Sequence, residues 1–399
     1  MLLPQLSKYN RSMRYELAIA GGGAVGASLA RAMRGHSIAL VSGHRPATAP
    51  VPGPGDFDPR VFALSPGSVE FLRALKVWDV MDPERLTPVH AMRVHGDAQQ
   101  ASIEMDAYRA GVPELAWIVE DRVLQAALWA ALGTQDRLEI FAPAQCAGIE
   151  LGDSATIRLA DGRTLEADLL VGADGADSFV RAAAGIAARE ESYGQTAVVA
   201  NFDCEHSHRN TAFQWFQGGP VLALLPLPGQ RVSMVWSVPD AEAARLQSLD
   251  AHALASAVCE ASKGSLGSLQ LVSAVKALAL RRLIAERMVL PHLALAGDAA
   301  HAIHPLAGQG LNLGLQDSHV LGRVLAQREP VRAPGDLAVL RRYERERSEA
   351  ILAMRATVHG LHTLFGSESR LLGRVRNLGM NLTDKLPVLK NALVRHALN

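Results

Sequence analysis

The 399-residue chain has no surplus of charge of either sign, because its 40 basic residues are matched by 40 acidic ones. That balance argues against nucleic acid as the main partner, which would favour a basic face. Cysteine is scarce: Cys146, Cys204 and Cys259 are isolated and show no C-x-x-C spacing. They offer neither a disulfide framework nor a metal site, and suit small buried residues of a cytoplasmic protein. No apolar run is long enough to span a bilayer, and the opening MLLPQLSKYNRSMRYE lacks an apolar stretch of signal-peptide length. Internal repeats and low-complexity tracts are missing too. The chain is nevertheless long enough to bury a large core in about two domains.

Three segments place glycine and aspartate where a strand gives way to a helix. In the first, an apolar strand from Tyr15 to Ala20 runs into GGGAVG, where Gly21, Gly23 and Gly26 fill G-x-G-x-x-G and a helix follows from Ala24 and Val25 to Met33. These glycines give a tight turn, close approach to a pyrophosphate, and close packing of helix on sheet. The next strand, Ser37 to Val41, ends at Ser42, where a ribose-binding carboxylate is expected. A hydroxyl can bond a ribose there without the strength of a charged acceptor. Ahead of the second segment, DLLVGADGADSFVR, the Asp161-Gly162 turn joins two strands, so that Asp174-Gly175 falls at a strand end before a helix.

The third, LALAGDAAHAIHPLAGQGLNLGLQD, joins a buried strand to Gly297-Asp298, a histidine-bearing loop and a helix start at Gly308, Gln309, Gly310, Leu311 and Asn312. Asp298 can accept hydrogen bonds from a polyol. The helix start aims unpaired N–H groups and partial positive charge at an anionic group. His301 and His304 admit two readings, acid/base group or loop hydrogen bonder.

Together these segments resemble the class A flavoprotein aromatic hydroxylases: the glycine loop, the Asp-Gly segment and Gly297-Asp298 match the family's three fingerprints in order and spacing. Longer stretches, FDPRVFALSPGSVEFL, WIVEDRVLQAAL, YGQTAVVANF and LRRYERERSEAILAM, are similar to the ubiquinone-biosynthesis hydroxylases, roughly from Glu16 to Leu398. Ser42 departs from the pattern, since relatives usually carry Glu or Asp there, and Asp121 stands where many have Asn.

The resemblance implies an FAD enzyme that hydroxylates the ring of a polyprenylated phenol with NAD(P)H and O2, through a C4a-hydroperoxyflavin. It also implies that NAD(P)H binds transiently, consistent with a single G-x-G-x-x-G. Arg60 is expected at the flavin or its pyrophosphate, and Arg122 as a neutraliser of pyrophosphate charge. His304, Pro305 and Gly308 are expected beside the flavin ring, in an apolar loop that keeps the reacting oxygen dry. Two other readings stay open: a flavin hydroxylase of a soluble aromatic, and a non-catalytic flavoprotein-fold subunit of a biosynthetic complex.

The expected architecture is α/β: a discontinuous Rossmann-like FAD-binding domain (1–85, 115–188 and 286–335), an inserted antiparallel substrate domain (86–114 and 189–285) and a helical region (336–399). In the strand Thr211 to Phe216, Phe213 and Trp215 share one face and Gln214 and Phe216 the other. One face belongs to the core and the other to the substrate pocket, and the pattern does not say which. From Ile351 onward seven basic residues stand against two acidic, interleaved with leucines. This is either a surface that docks on the inner face of a membrane or on other ubiquinone-biosynthesis proteins, or a helical cap on the FAD domain.

Overall fold

The computed structural model describes residues 13–46, 53, 55–96, 102–302 and 309–366. Its first sheet orders the strands Val289–Leu290, Leu293–Leu295, Thr164–Gly172, Met13–Ala20, Ile38–Val41 and Leu138–Phe141. All neighbours in that order run parallel except the first pair. Leu17, Ala18 and Ile19, and Ile38, Ala39 and Leu40, have no exposed surface. That is why these strands read as continuous apolar runs: both faces of the sheet are buried. Cys146–Leu151 and Ala155–Leu159 continue it as an antiparallel ribbon off Thr164–Gly172.

The second sheet is antiparallel through most of its width and runs from His301–Ala302 through Lys276–Ala285, Ala188–Cys204, Arg231–Pro239, Val221–Leu227 and Thr211–Phe216 to Ala91–His95 and Ser102–Asp106. Helices Asp240–Ser248 and Ala251–Ala261 cover one face. Phe213, Trp215, Leu224, Met234 and Trp236 pack with Leu246, Leu254 and Val258 in that layer, so the Phe213/Trp215 face is core. The strand Lys276–Ala285 has no counterpart in the sequence reading, and its long pairing with Ala188–Cys204 makes it central to this sheet.

The opposite face holds Ala212, Gln214 and Phe216 and, in register, Ala223, Leu225, Val199, Asn201 and Ser233. It turns toward the first domain. Ala212 and Leu225 pack with Phe57 and Ile118, and Asn201 Nδ2 donates to the carbonyls of Phe57 (3.0 Å) and Asp58 (3.2 Å). The two sheets also meet at Gly297–His301, because His301–Ala302 pairs with Leu283 and Ile284 directly after Leu293–Leu295 has paired in the first sheet.

The helix Leu337–Gly366 follows, and Val339, Leu340, Tyr343 and Ile351 belong to the main core of the first domain. Its first turns therefore cap the FAD domain. The basic stretch beyond residue 366 lies outside the described residues.

Candidate active site

The glycine loop is shaped by sterics. Gly21 has φ of +113°, and a Cβ there would sit 2.1 Å from the Ala173 carbonyl oxygen. A Cβ on Gly26 would meet the Gly21 carbonyl oxygen at 1.9 Å, so the helix Ala24–Ala32 can approach its own turn only with glycine at that position. Gly23 is the opposite case: it caps the helix, no side chain caps it in turn, and a Cβ there would meet nothing within 4 Å. No acidic residue lies in the first turn. The N–H groups of Ala24 and Val25 therefore face open space with the positive end of the helix behind them, an arrangement suited to a pyrophosphate.

Val25 also packs on the second glycine segment. Its side chain lies where a Cβ of Gly297 (3.0 Å) or Gly314 (2.6 Å) would stand, which brings the turn Gly297–Ala299 and the helix Gln309–Ala326 against the first helix. Gly297 has φ of +60°. The Asp298 carboxylate beside it accepts no hydrogen bond from any described residue. It keeps exposed surface yet is ringed by protein, and this partial desolvation pushes its carboxyl above the ordinary range, against the pull of His301, Arg60 and Arg281. An acceptor held in this way is matched to hydroxyl donors, the chemistry of a ribityl chain. Gly310, like Gly23, leaves space: a Cβ there would meet no described atom within 4 Å. Leu311 is partly buried in the main core.

The second segment is joined to this turn. Arg181 donates to the Ala299 carbonyl (2.9 Å) and to that of Ala176 (2.8 Å). Gly175 has open space around it.

Several expected ligands are engaged within the protein. Both oxygens of Asp174 hold the start of the helix Phe179–Ala183, accepting from Ser178 Oγ (2.5 Å) and Val180 N (3.1 Å). Asn312 accepts from Ser65 N (2.9 Å) and donates to the Ala63 carbonyl (2.9 Å), pinning the strand Val61–Leu64 to the helix. Ser42 is buried and its hydroxyl donates to the His44 carbonyl (2.6 Å), which corrects the expectation of a hydroxyl free to donate to a ribose. Arg122 departs furthest from expectation. Its guanidinium is bound by Asp56 (3.0 Å) and Glu120 (3.2 Å), so it braces the 55–58 loop instead of facing a pyrophosphate. Arg60 is half-exposed, pairs with Asp121 at 3.3 Å, and is close enough to Asp298 to stabilise its charge. His304, Pro305 and Gly308 lie outside the described residues, as does the side chain of Gln309.

Behind the site the structure shows partners for two carboxylates that lie within the matched stretches, Asp317 and Glu120. Asp317, without exposed surface, accepts from Gly297 N and His301 Nε2 (both 2.7 Å) through one oxygen and from Arg347 Nε (2.6 Å) through the other. Glu120, equally buried, accepts from Arg85, Arg122 and the Asp58 N–H. Among the described residues no cluster of His, Cys, Asp and Glu could hold a metal ion, and no helix is long and apolar enough to cross a membrane.

An open glycine cradle, an uncapped helix start at Gly23 and a carboxylate that accepts no hydrogen bond from any described residue mark a dinucleotide site of the flavoprotein kind. Comparison with known proteins agrees: residues 14–357 match the FAD binding domain family, and the chain belongs to it. The 3-demethoxyubiquinol 3-hydroxylase of Escherichia coli (strain K12) is 33% identical over 385 residues, 96% of this chain and 98% of that protein. The ubiquinone hydroxylase UbiL of Rhodospirillum rubrum is 33% identical over 387 residues, 96% of this chain and 89% of that protein. Within the family the chain thus belongs with the ubiquinone-biosynthesis hydroxylases and is a flavin-dependent aromatic monooxygenase that uses FAD. The crystal structure of pqsL, a probable FAD-dependent monooxygenase from Pseudomonas aeruginosa, shares the fold, with a TM-score of 0.77 at 22% identity over 92% of this chain and 99% of that one.

Proposed function

We propose that this protein hydroxylates the aromatic ring of a polyprenylated phenol in ubiquinone synthesis, with NAD(P)H and O2 as co-substrates. The observation that carries the reading is the placement of the flavin turn. Gly297–His301 sits where the FAD domain's sheet meets the second sheet, beside a largely apolar face of that sheet. When bound, FAD supplies electron storage and oxygen activation. The chain's own residues do the rest. Gly21, Gly23 and Gly26 open the turn so that the N–H groups of Ala24 and Val25 would hold the pyrophosphate, while Asp298 would accept from the ribityl hydroxyls. The helix from Gln309, with Gly310 and Leu311 in its first turn and no acidic residue there, would offer its positive end to an anionic group of the cofactor.

Arg60 adds charge near the same opening. Asp174, Gly175, Gly297 and Asn312 serve by shaping the walls, while the family resemblance makes His304, Pro305, Gly308 and Gln309 the candidates for contact with the ring. Val199, Ala223, Leu225 and Phe216 on the facing sheet give an apolar surface for the phenol and the start of its tail, and help exclude water from the reacting oxygen. An electron-rich phenol needs little further activation, so orientation and dryness are the main requirements. The prenyl tail makes such a substrate extractable at a membrane face, which fits peripheral contact through the basic, leucine-rich stretch after Ile351.

The test is NAD(P)H oxidation by the FAD-loaded protein with a prenylated phenol in micelles and with the same ring lacking its tail. Stimulation that requires the tail supports the proposal. Equal stimulation by the tail-less ring would favour a soluble aromatic substrate, and none by either would favour a non-catalytic subunit.

A further inference from the structure

We infer that Asp317 and Arg347 are positioning residues for the flavin: together they fix the turn that carries Asp298 and make the helix Leu337–Gly366 part of the cofactor site. The inference rests on FAD binding at this turn. One oxygen of Asp317 accepts at 2.7 Å from Gly297 N and at 2.7 Å from His301 Nε2, so a single atom holds both ends of the 297–301 turn. Between those ends lies Asp298, whose own carboxylate has no described partner to orient it. Gly297 has φ of +60°, and with glycine's freedom the turn would have many alternatives if the N–H were released. The other oxygen of Asp317 is held by Arg347 Nε at 2.6 Å, and Arg347 also donates to Gln316 Oε1 (3.1 Å) and the Leu313 carbonyl (3.2 Å). One turn earlier on the same helix, the Tyr343 hydroxyl donates to the Leu295 carbonyl (2.8 Å), on the strand that enters the turn.

This arrangement needs a carboxylate. Asp317 faces donors from three directions, and only an acceptor-only group with two equivalent oxygens satisfies all of them. An asparagine would turn its NH2 either toward Arg347 or toward Gly297 and His301. The side chains of Asp317, His301 and Arg347 are 0%, 2% and 4% exposed, so no water can replace a lost partner easily. None of the three needs to touch the flavin. Their effect passes through the direction of the Asp298 carboxylate.

The experiment is a double-mutant cycle on FAD affinity. Visible-spectrum titrations give the FAD dissociation constant for wild type, Asp317→Asn, Asp298→Ala and the double variant, with thermal melting of each FAD-free protein alongside. Asp317→Asn should weaken FAD about tenfold or more in the wild-type background but less than about twofold once Asp298 is alanine, because its effect runs through that residue. Its effect on melting of the FAD-free protein should be the same in both backgrounds. An equal loss of affinity in both, or none in either, would overturn the inference. Should Asp317→Asn fail to fold, Arg347→Lys and Arg347→Gln replace it in the same cycle. Lysine should keep most of the affinity, and the loss with glutamine should vanish in the Asp298→Ala background; equal losses with lysine and glutamine would overturn it. A wild-type protein that takes up no FAD would end the inference and the FAD assignment together, whereas additive effects in a flavin-binding protein end the inference alone.

Discussion

Asp317 and Glu120 are both carboxylates with no exposed surface, and each is held by arginine, yet they steady different things. Asp317 has one arginine and a histidine in a fully enclosed setting, and it holds the Gly297–His301 turn that carries Asp298. Burial alone would push its carboxyl up, but His301, Arg347 and the Gly297 N–H outweigh this and hold it below the ordinary range. Glu120 has two arginines. Arg85 is buried and stacks its guanidinium over Phe57 at 4.0 Å, while Arg122 reaches outward to the largely exposed Asp56. What Glu120 steadies is the 55–58 loop, through the Asp58 N–H at 2.6 Å, and that loop grips Asn201 of the second sheet. One carboxylate orders the turn that carries Asp298 and the other ties the 55–58 loop, which holds Asn201 of the second sheet.

The comparison breaks first at its strongest point. Arg347→Ala leaves the Asp317 charge buried without its cation and should destabilise the FAD-free protein by about 3–5 kcal/mol in denaturant unfolding. Arg85→Ala should cost less, since Arg122 still neutralises Glu120 from the rim; equal costs would remove the distinction between the enclosed and the vented pair. Gly26→Ala acts on the cofactor instead. Its Cβ would collide with the Gly21 carbonyl and force the helix away from the turn, so FAD affinity should fall by about 2 kcal/mol or more while the FAD-free fold persists. A fully yellow Gly26→Ala protein would show that the close approach is dispensable.

A smaller effect follows from Asp298. Its carboxyl is raised in the FAD-free protein, and hydroxyl donors of the cofactor favour the ionised form, so binding should release a proton when the group starts protonated. FAD affinity should then be flat above that raised pKa and decline as pH falls through it toward the usual carboxylate range near 4. Asp298→Ala should flatten the decline. The smallest change is Arg122→Gln, which loosens the exposed half of the Glu120 cluster; it should cost about 1 kcal/mol or less and be erased by salt.

How far the sequence disclosed this molecule follows from the range of the interactions involved. Met13–Ala20 and Thr164–Gly172 were legible because strands covered on both faces are apolar without interruption, and the Gly21 to Gly26 spacing follows from contacts within one turn. Thr211–Phe216 and Val221–Leu227 were legible from β-rich runs between glycine turns, but which face of them was core depended on the helices Asp240–Ser248 and Ala251–Ala261, and alternation alone is blind to that. Lys276–Ala285 escaped because KALALRRLIA carries basic residues and alanines at positions that fit a helix as well as a strand, and only its pairing with Ala188–Cys204 decides. Asp317 stood inside a motif that had already been read, yet its partner Arg347 is 30 residues away on another helix, and Glu120 and Arg85 are 35 apart. Such pairs are made by packing and leave no periodic trace. Arg122 shows the converse: its type suited a phosphate, and its neighbours Asp56 and Glu120 drew it elsewhere.

The most direct test of the central claim follows oxygen. The FAD-loaded protein, given NAD(P)H and a prenylated phenol under labelled O2, should yield a product whose ring carries one labelled oxygen atom, in step with NAD(P)H consumed. NAD(P)H oxidation that leaves the phenol unlabelled, or is indifferent to its presence, would contradict the assignment of this chain as a prenylphenol hydroxylase.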